Sequence, residues 1–261
     1  MKLDFHTHGK LAKKLPFSEA YTDWLFEEAK KAGLDALCLT EHFNTLQFED
    51  VYRYLIGKSR REGDTLVLES GLRVFAGMET DIAEGGHVLT LGTPEDILEL
   101  NHRLEPYKEP GRFLPFGQLL KFFIEYPVKI GAAHPFRAGG HIPELPQEEL
   151  EQFDFLDLNG KDTAEDLEGT KQKTYSLGTL LNRPVIGGSD THQAVQYGCI
   201  YTEFQKEVCR IEDLYKEMKK GNYKISIARE SAFQVKTAGI LKRALKEIHA
   251  LGGDYVGVLV G

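Results

Sequence analysis

The sequence predicts an α/β fold in which a parallel sheet is covered by helices and closes into a barrel. Short apolar runs alternate with amphipathic helical patterns along the chain, which is typical of parallel sheets. Pattern alone does not separate an open sheet from a barrel. Candidate metal ligands, however, follow several of the apolar runs, and parallel barrels carry their sites at the carboxyl ends of the strands. The 261 residues suit one domain, 1–261.

The strands are predicted from short apolar runs bounded by turn residues or by the start of a helical pattern. They span residues 2–5, 35–40, 73–78, 87–91, 128–133, 153–158, 185–188 and 199–204. Because side chains alternate along a strand, residues two apart project to one face. His6 and His8, at the end of the first run, are therefore predicted to grip one ion together.

The helices are predicted from apolar residues at helical spacing. They span residues 18–32, 116–125, 163–181 and 211–220, with a terminal amphipathic helix over 240–248. Gly33 fits the position just past the end of the first helix. The segment 104–117, which contains three prolines, is predicted to be a long loop beside the site.

Composition narrows the classes of function. The chain is 41% hydrophobic and 28% charged with a net charge of −8, which argues against an extended nucleic-acid or membrane surface. No apolar run approaches the ~20 residues that span a bilayer, and no secretory signal pattern is seen. The three cysteines are widely spaced and odd in number, so we expect a reducing, cytoplasmic location rather than a disulfide framework.

Six histidines and two acidic residues fall at the ends of predicted strands. These candidate ligands are His6, His8, His42, Glu79, His87, His134, Asp190 and His192. Imidazole and carboxylate groups suit Zn, Mn or Fe ions, and a carboxylate can bridge two ions. One ion takes three or four protein ligands, so eight candidates predict two or three divalent ions. Clustered ions fit phosphate ester hydrolysis, because they lower the pKa of a bound water and stabilise the leaving oxygen.

Five motifs, in this order, resemble the PHP (polymerase and histidinol phosphatase) superfamily. They are His6-Thr7-His8, Thr40-Glu41-His42, Glu79, Ala133-His134-Pro135-Phe136-Arg137 and Gly187-Gly188-Ser189-Asp190-Thr191-His192. Asp157-Leu158-Asn159-Gly160 also resembles a family motif. The resemblance covers residues 1–204 and leaves a C-terminal helical region, 205–261. It implies a distorted (β/α)7 TIM-like barrel with the metal site at the C-terminal ends of the strands.

The resemblance also implies roles for the candidate ligands. The first metal would be held by His6, His8, Glu79 and Asp190. Glu79 would bridge to a second metal held by His134 and His87, and His42 and His192 would hold a third. A metal-bridging hydroxide, positioned through Glu79 and Asp190, would then attack phosphorus in line.

One position departs from the family pattern. Members often carry an Asp or His about six residues after the second His of the first motif, but Lys14 stands there, and a protonated amine cannot ligate a metal. The third site is then weak, absent or completed by Glu19. Alternatively, Lys13 or Lys14 binds the substrate phosphate instead.

Further residues are candidates for substrate binding. The guanidinium fork of Arg137 matches phosphate oxygens, and Lys161 and His141 follow other site motifs. For each of these residues a salt bridge or a plain loop position is the competing interpretation.

The predicted function is a metal-dependent phosphoesterase acting on a small phosphomonoester, such as histidinol phosphate or a nucleotide. A phosphodiesterase, an exonuclease or a protein-tyrosine phosphatase would use the same chemistry. A metal-dependent amidohydrolase and a noncatalytic metal-binding module remain alternatives from other classes. We expect a small phosphorylated substrate and no membrane or extended nucleic-acid partner, and the oligomeric state stays open.

Overall fold

A computed structural model describes residues 1–260. The strands are Lys2–Thr7 (β1), Ala36–His42 (β2), Arg60–Glu62 (β3), Thr65–Val67 (β4), Arg73–Asp81 (β5), His87–Gly92 (β6), Lys129–Ala133 (β7), Phe155–Asn159 (β8), Val185–Gly188 (β9), Ile200–Phe204 (β10) and Tyr223–Ile227 (β11). The helices are Glu19–Lys31 (α1), Phe48–Lys58 (α2), Pro94–Arg103 (α3), Phe116–Phe123 (α4), Gln147–Leu150 (α5), Gly160–Glu165 (α6), Leu167–Leu181 (α7), Ile211–Lys220 (α8), Ser231–Ala250 (α9) and Tyr255–Val260 (α10).

Seven strands form a nearly closed barrel in the order β1-β2-β5-β6-β7-β8-β9. The barrel closes between its two end strands, where Thr7 and Thr191 form a parallel bridge and the Asp190 amide donates to the His6 carbonyl at 2.6 Å. Outside the ring, β10 pairs antiparallel with β1, and β11 with β10. The predicted α/β barrel is therefore confirmed.

The barrel is distorted because β6 runs antiparallel to both of its neighbours. The other pairs within the ring, such as β1 with β2 and β7 with β8, are parallel. As a result the amino end of β6 lies at the same rim as the carboxyl ends of the other strands. His87, the first residue of β6, pairs there with Asp81 and Ala133.

A second irregularity lies in the first strand. The register between β1 and β2 shifts between Asp4 and Thr7. A bulge of this kind re-aims the side chains that follow it, and bulges are common beside functional sites. Phe5 belongs to an apolar cluster with Phe75 and Phe155, whereas the next residue, His6, turns towards the rim.

The core has two layers. One cluster is centred within the barrel and extends to β10 and α8, with Phe5 at ring-centroid distances of 6.1 Å from Phe155 and from Phe204 of β10. The other packs the outer faces of the strands against the helices. Gly131 allows the close packing inside, because a Cβ there would stand 2.1 Å from the Phe155 ring.

All eight predicted strands are present, but sequence reasoning missed the β3–β4 hairpin, β11, α2 and α3. The helix predicted over 163–181 is two helices, since Asp166 takes an extended conformation and caps α7 by accepting from the Gly169 amide. The terminal helix is longer than predicted, spanning Ser231–Ala250. The predicted loop 104–117 contains one short 3-10 helix and contacts the turn after β5, where the Ala83 amide donates to Leu114.

Among the residues that the structure describes, none of the helices has both the length and the apolar character needed to cross a bilayer.

Candidate metal centre

The eight predicted ligands lie together at one rim of the barrel. His6 and His8 come from the end of β1, His42 from β2 and Glu79 from β5. His87 is the first residue of β6, His134 directly follows β7, and Asp190 and His192 lie in the segment after β9. Three groups have donor atoms within 4.8 Å of one another: His8, His42 and His192; His6, His8 and Asp190; and Glu79, His87 and His134.

Glu79 is the centre of this cluster. Its carboxylate is 1% exposed and has five imidazoles around it. Its Oε1 lies 2.6 Å from His87 Nδ1, 3.0 Å from His134 Nε2 and 3.5 Å from His6 Nε2. Its Oε2 lies 2.8 Å from His42 Nδ1 and 3.5 Å from His8 Nε2. One carboxylate therefore contacts members of all three groups, which is the geometry that a bridging ligand needs.

Several donor atoms in this cluster have no protein partner. Within residues 1–260, Nε2 of His6 and both ring nitrogens of His8 make no hydrogen bond, although both side chains are fully buried. A buried polar group without a partner costs free energy. Imidazole nitrogens and carboxylate oxygens form a mixed donor set that suits zinc, manganese or iron. The residues present therefore fit a group of divalent metal ions.

The two carboxylates of the cluster are held ionised. Burial opposes ionisation of Glu79, but the surrounding imidazoles, foremost that of His87, lower the pKa of that carboxyl well below its usual value. Burial opposes ionisation of Asp190 as well. Lys161, His6 and Arg137 outweigh it and lower the Asp190 pKa in the same way. Both groups are thus in the form that binds a cation.

Three of the histidines are held neutral. Burial lowers the pKa of His42 to about 4, and burial also lowers the pKa of His134 and of His192. A neutral ring offers a lone pair to a metal. His87 differs: burial favours its neutral form, but Glu79 and Asp81 outweigh it and raise its pKa to about 9.

Outer groups fix the orientation of several rings. His6 Nδ1 lies 2.9 Å from Asp157 Oδ2, and both side chains are fully buried. His192 Nδ1 lies 2.8 Å from the Lys10 carbonyl oxygen. In each case the second nitrogen is left to face the cluster, as is usual for metal-binding histidines.

The backbone is strained at two of the predicted ligands. His134 has φ of 30° and Asp190 has φ of 57°, in the left-handed region that non-glycine residues rarely occupy. Each such residue costs on the order of 1–3 kcal/mol and persists only where its surroundings enforce it. Their occurrence directly after β7 and β9 marks this rim as the functional end of the barrel.

Arg137 and Lys161 reach the same rim. Arg137 Nη1 lies 2.8 Å from Asp190 Oδ2, and Lys161 Nζ lies 2.8 Å from Asp190 Oδ1. Arg137 also donates hydrogen bonds to Asp162 and Asn159. It therefore forms a salt bridge and also lies beside the predicted metal ligands. Both cations line a cavity of about 520 Å³ that borders His134.

Of the other residues predicted to bind substrate, only Lys13 lies next to the cluster. Lys14 is exposed and forms no ion pair with any of residues 1–260, whereas Lys13 binds Asp81 at 3.1 Å, beside His87. Of the two lysines, Lys13 is therefore the one at the site. His141 is half-exposed and pairs with Glu144 at 3.1 Å, which gives its predicted contact with substrate no structural support.

The set of residues predicted to hold the third metal differs from the set that lies together in the structure. Glu19 is exposed at the start of α1 and is not part of any of the three donor groups. His8 instead lies with His42 and His192, with its ring 4.1 Å from that of His192. His8 is thus shared by two groups, although the resemblance placed it with the first metal alone.

Sequence reasoning missed several residues around the cluster. The sequence motifs include Asp157 and Glu41 but do not predict their contacts: Glu41 Oε1 lies 3.6 Å from His8 Nδ1. Asp81, which contacts His87 at 3.1 Å, belongs to none of the predicted motifs. For Asp157, an acid inside an otherwise apolar strand was a usable signal. Lys242, on α9, gave no local signal at all.

The histidine and carboxylate cluster thus lies at one rim of a TIM-like barrel, an arrangement typical of metal-dependent hydrolases. A family model described as the PHP domain matches residues 4–143, and a second, described as PHP-associated, matches residues 172–223. The chain belongs to the PHP family of metal-dependent phosphoesterases, as its motifs predicted.

Solved structures support the fold. PsfC from Pseudomonas syringae PB-5123 is 23% identical, with a TM-score of 0.75 over 94% of this chain and 98% of that one. The lesion-specific endonuclease EndoQ of Pyrococcus furiosus is 19% identical, with a TM-score of 0.61 over 86% of this chain but 57% of that one. An amidohydrolase from Chromobacterium violaceum with bound sulfate is 12% identical, with a TM-score of 0.50 over 85% and 97%. The sequence matches none of the curated proteins.

Proposed function

We propose that this protein is a metal-dependent phosphomonoesterase acting on a small substrate. The observation that carries the proposal is the buried Glu79 carboxylate with five imidazoles within 3.5 Å, next to which two cations meet Asp190 at 2.8 Å. The donors suit metal ions, and the cations suit a phosphate. A site that hydrolyses neutral amides would not need these two cations.

The ions would be held by the eight rim residues described above, with the Glu79 carboxylate in contact with histidines of each donor group. Metal ions bound there lower the pKa of a water molecule, bind phosphate oxygens and stabilise the leaving oxygen. We further propose that two or three divalent ions bind there, and that the metal is zinc, manganese or iron.

The protein's own contribution is to hold and orient the phosphate. The planar guanidinium of Arg137 matches phosphate oxygens, which would replace part of its contacts with Asp162 and Asn159. Lys161 presents an ammonium group at the other oxygen of Asp190. Charge-assisted hydrogen bonds of this kind contribute about 1.5–3 kcal/mol each. Asp157, through His6, keeps one ring of the cluster in a fixed orientation.

The adjoining cavity supports a small organic group. At about 520 Å³ it falls within the range of roughly 300–1,000 Å³ typical of small-molecule sites. Its wall combines the cations Arg137 and Lys173 with the acids Asp162 and Glu165. A polar leaving group, such as an alcohol bearing an amine or hydroxyls, would find partners there.

Cleavage of a phosphodiester in nucleic acid is the second candidate. The similarity to EndoQ, which is described as a lesion-specific endonuclease, favours it. Two observations weigh against it: the chain spans 57% of that protein, and its net charge is −8.

The test is metal analysis of the purified protein, followed by phosphate release from a panel of monoesters and diesters with Mn, Zn or Fe added. We expect release from monoesters, and about a tenfold or greater loss of kcat/KM in Arg137→Ala. Arg53→Ala, which removes an exposed arginine paired with Glu49, is the matched control and should retain full activity. Metal-bound protein that cleaves only diesters, or nothing, would contradict the proposal.

A further inference from the structure

The C-terminal helix α9 lies against the mouth of the site. It packs on α6 and on the 3-10 helix Ala194–Gln196, which follows the ligand His192. Gln234 fixes this contact, because its Nε2 donates to the carbonyls of Val195 at 3.2 Å and Tyr197 at 3.1 Å. The position of α9 relative to His192 is therefore set by hydrogen bonds to the same segment that carries the ligand.

A small cavity separates α9 from the metal cluster. Its volume is about 160 Å³, and its wall includes Lys161, Glu165, His192, Gly239 and Lys242. A Cβ at Gly239 would meet only the Arg243 guanidinium, at 3.9 Å, so the helix borders open space there. The volume equals that of roughly five waters, which is enough for one tetrahedral oxyanion.

Lys242 is a cation without a counterion. Its side chain is half-buried, and it forms no hydrogen bond or ion pair with any residue that the structure describes. The exposed Glu165 carboxylate in the same wall pairs with neither lysine of the cavity. Burial, followed by the nearby charge of Lys161, lowers the pKa of Lys242 to about 8, against the opposing effect of Asp190 and Glu41. Placing a cation in such a position is costly unless an anion joins it.

The neighbouring lysine extends this positive end. Lys161 Nζ lies 2.8 Å from Asp190, a predicted metal ligand, and also lines the cavity. An anion in the cavity would thus touch two ammonium groups from different helices, with His192 alongside. A phosphate dianion is attracted to these ammonium groups more strongly than a diester, which carries one negative charge.

We propose that Lys242 is a substrate-binding residue that, together with Lys161, holds the terminal phosphate of the substrate beside His192. The inference rests on the proposed function for the nature of the substrate. It assigns α9, beyond the motif-bearing part of the chain, to selection of a monoester dianion.

The experiment is calorimetric titration of inorganic phosphate into metal-bound wild type, Lys242→Ala and Lys242→Arg. Lys246→Ala is the matched control, since Lys246 is an exposed lysine one turn further along the same helix. We expect Lys242→Ala to weaken phosphate binding about tenfold or more, and Lys242→Arg to retain most of the affinity. Gly239→Leu should also weaken binding, because it fills the cavity while leaving both lysines in place. Metal content and thermal unfolding verify that each variant is folded.

Equal phosphate affinity in Lys242→Ala and Lys246→Ala overturns the proposal, as does wild type that binds no phosphate. The result is separable from the proposed function. If phosphate binding depends on Lys242 but no monoester is cleaved, the anion site stands and the phosphomonoesterase fails. If monoesters are cleaved and Lys242→Ala keeps both its KM and its phosphate affinity, the inference alone fails.

Discussion

Asp157→Asn tests whether the buried cluster is built to bind metal. Asp157 Oδ2 receives three hydrogen bonds: from His6 Nδ1 at 2.9 Å, from Asn159 Nδ2 at 2.9 Å and from the His134 amide at 3.3 Å. The first of these contacts turns Nδ1 of the His6 ring towards Asp157, so that Nε2 faces Glu79. The substitution keeps the shape of the side chain and removes its charge.

The magnitude follows from that one contact. A hydrogen bond to a charged group contributes about 1.5–3 kcal/mol, and loss of an outer partner of a metal-binding histidine typically weakens metal binding by roughly 10–100-fold. The two ranges agree, because a factor of ten corresponds to about 1.4 kcal/mol. We therefore expect Asp157→Asn to bind its tightest ion about 10–100-fold more weakly.

The assay is competition with a chromophoric chelator, which measures the metal dissociation constants directly. Asp154→Asn is the control, since Asp154 lies just before the opposite end of β8 and its Oδ2 accepts from the Ile130 amide, at 2.9 Å, away from the cluster. That variant should bind metal as wild type does. Wild-type affinity in Asp157→Asn, with its fold intact, would refute the orienting role and weaken the case for His6 as a ligand.

Three further outcomes are expected. Glu79→Gln removes the carboxylate charge that contacts histidines of all three donor groups, so metal analysis should show at least one ion fewer per chain and phosphate release should fall by roughly 10–100-fold. Chelation of the ions should lower the unfolding midpoint, because a ligand present at about 100 times its Kd stabilises the folded state by about 2.7 kcal/mol; an unchanged midpoint in calorimetry would contradict tight binding. Gly131→Ala places a methyl 2.1 Å from the Phe155 ring and should cost about 1–3 kcal/mol in urea unfolding, whereas Gly71→Ala, with nothing within 4 Å, should reveal only the cost of its φ of 80°.

Local patterns were enough to predict the strands that carry the site. Alternation of apolar runs and helical spacing depends on neighbours a few residues apart, and so does the placement of His6, His134 or Asp190 directly at the end of a run. The hairpin β3–β4 was missed because each of its strands is only three residues long and β3 is largely exposed. The break at Asp166 was missed because an N-cap inside a helical pattern does not interrupt the spacing.

The family and the chemical types of the ligands were readable from the sequence without coordinates, since donors at strand ends follow from local alternation. How the ligands group depends on the tertiary structure. The bulge in β1 aims His6, the reversed direction of β6 brings His87 to the rim, and the closure of the barrel places His8 between two groups. Lys242 shows the limit most clearly. Its position beside His192 depends on how α9 packs on the barrel, and no pattern within a single segment encodes the distance between two segments that are far apart in the chain.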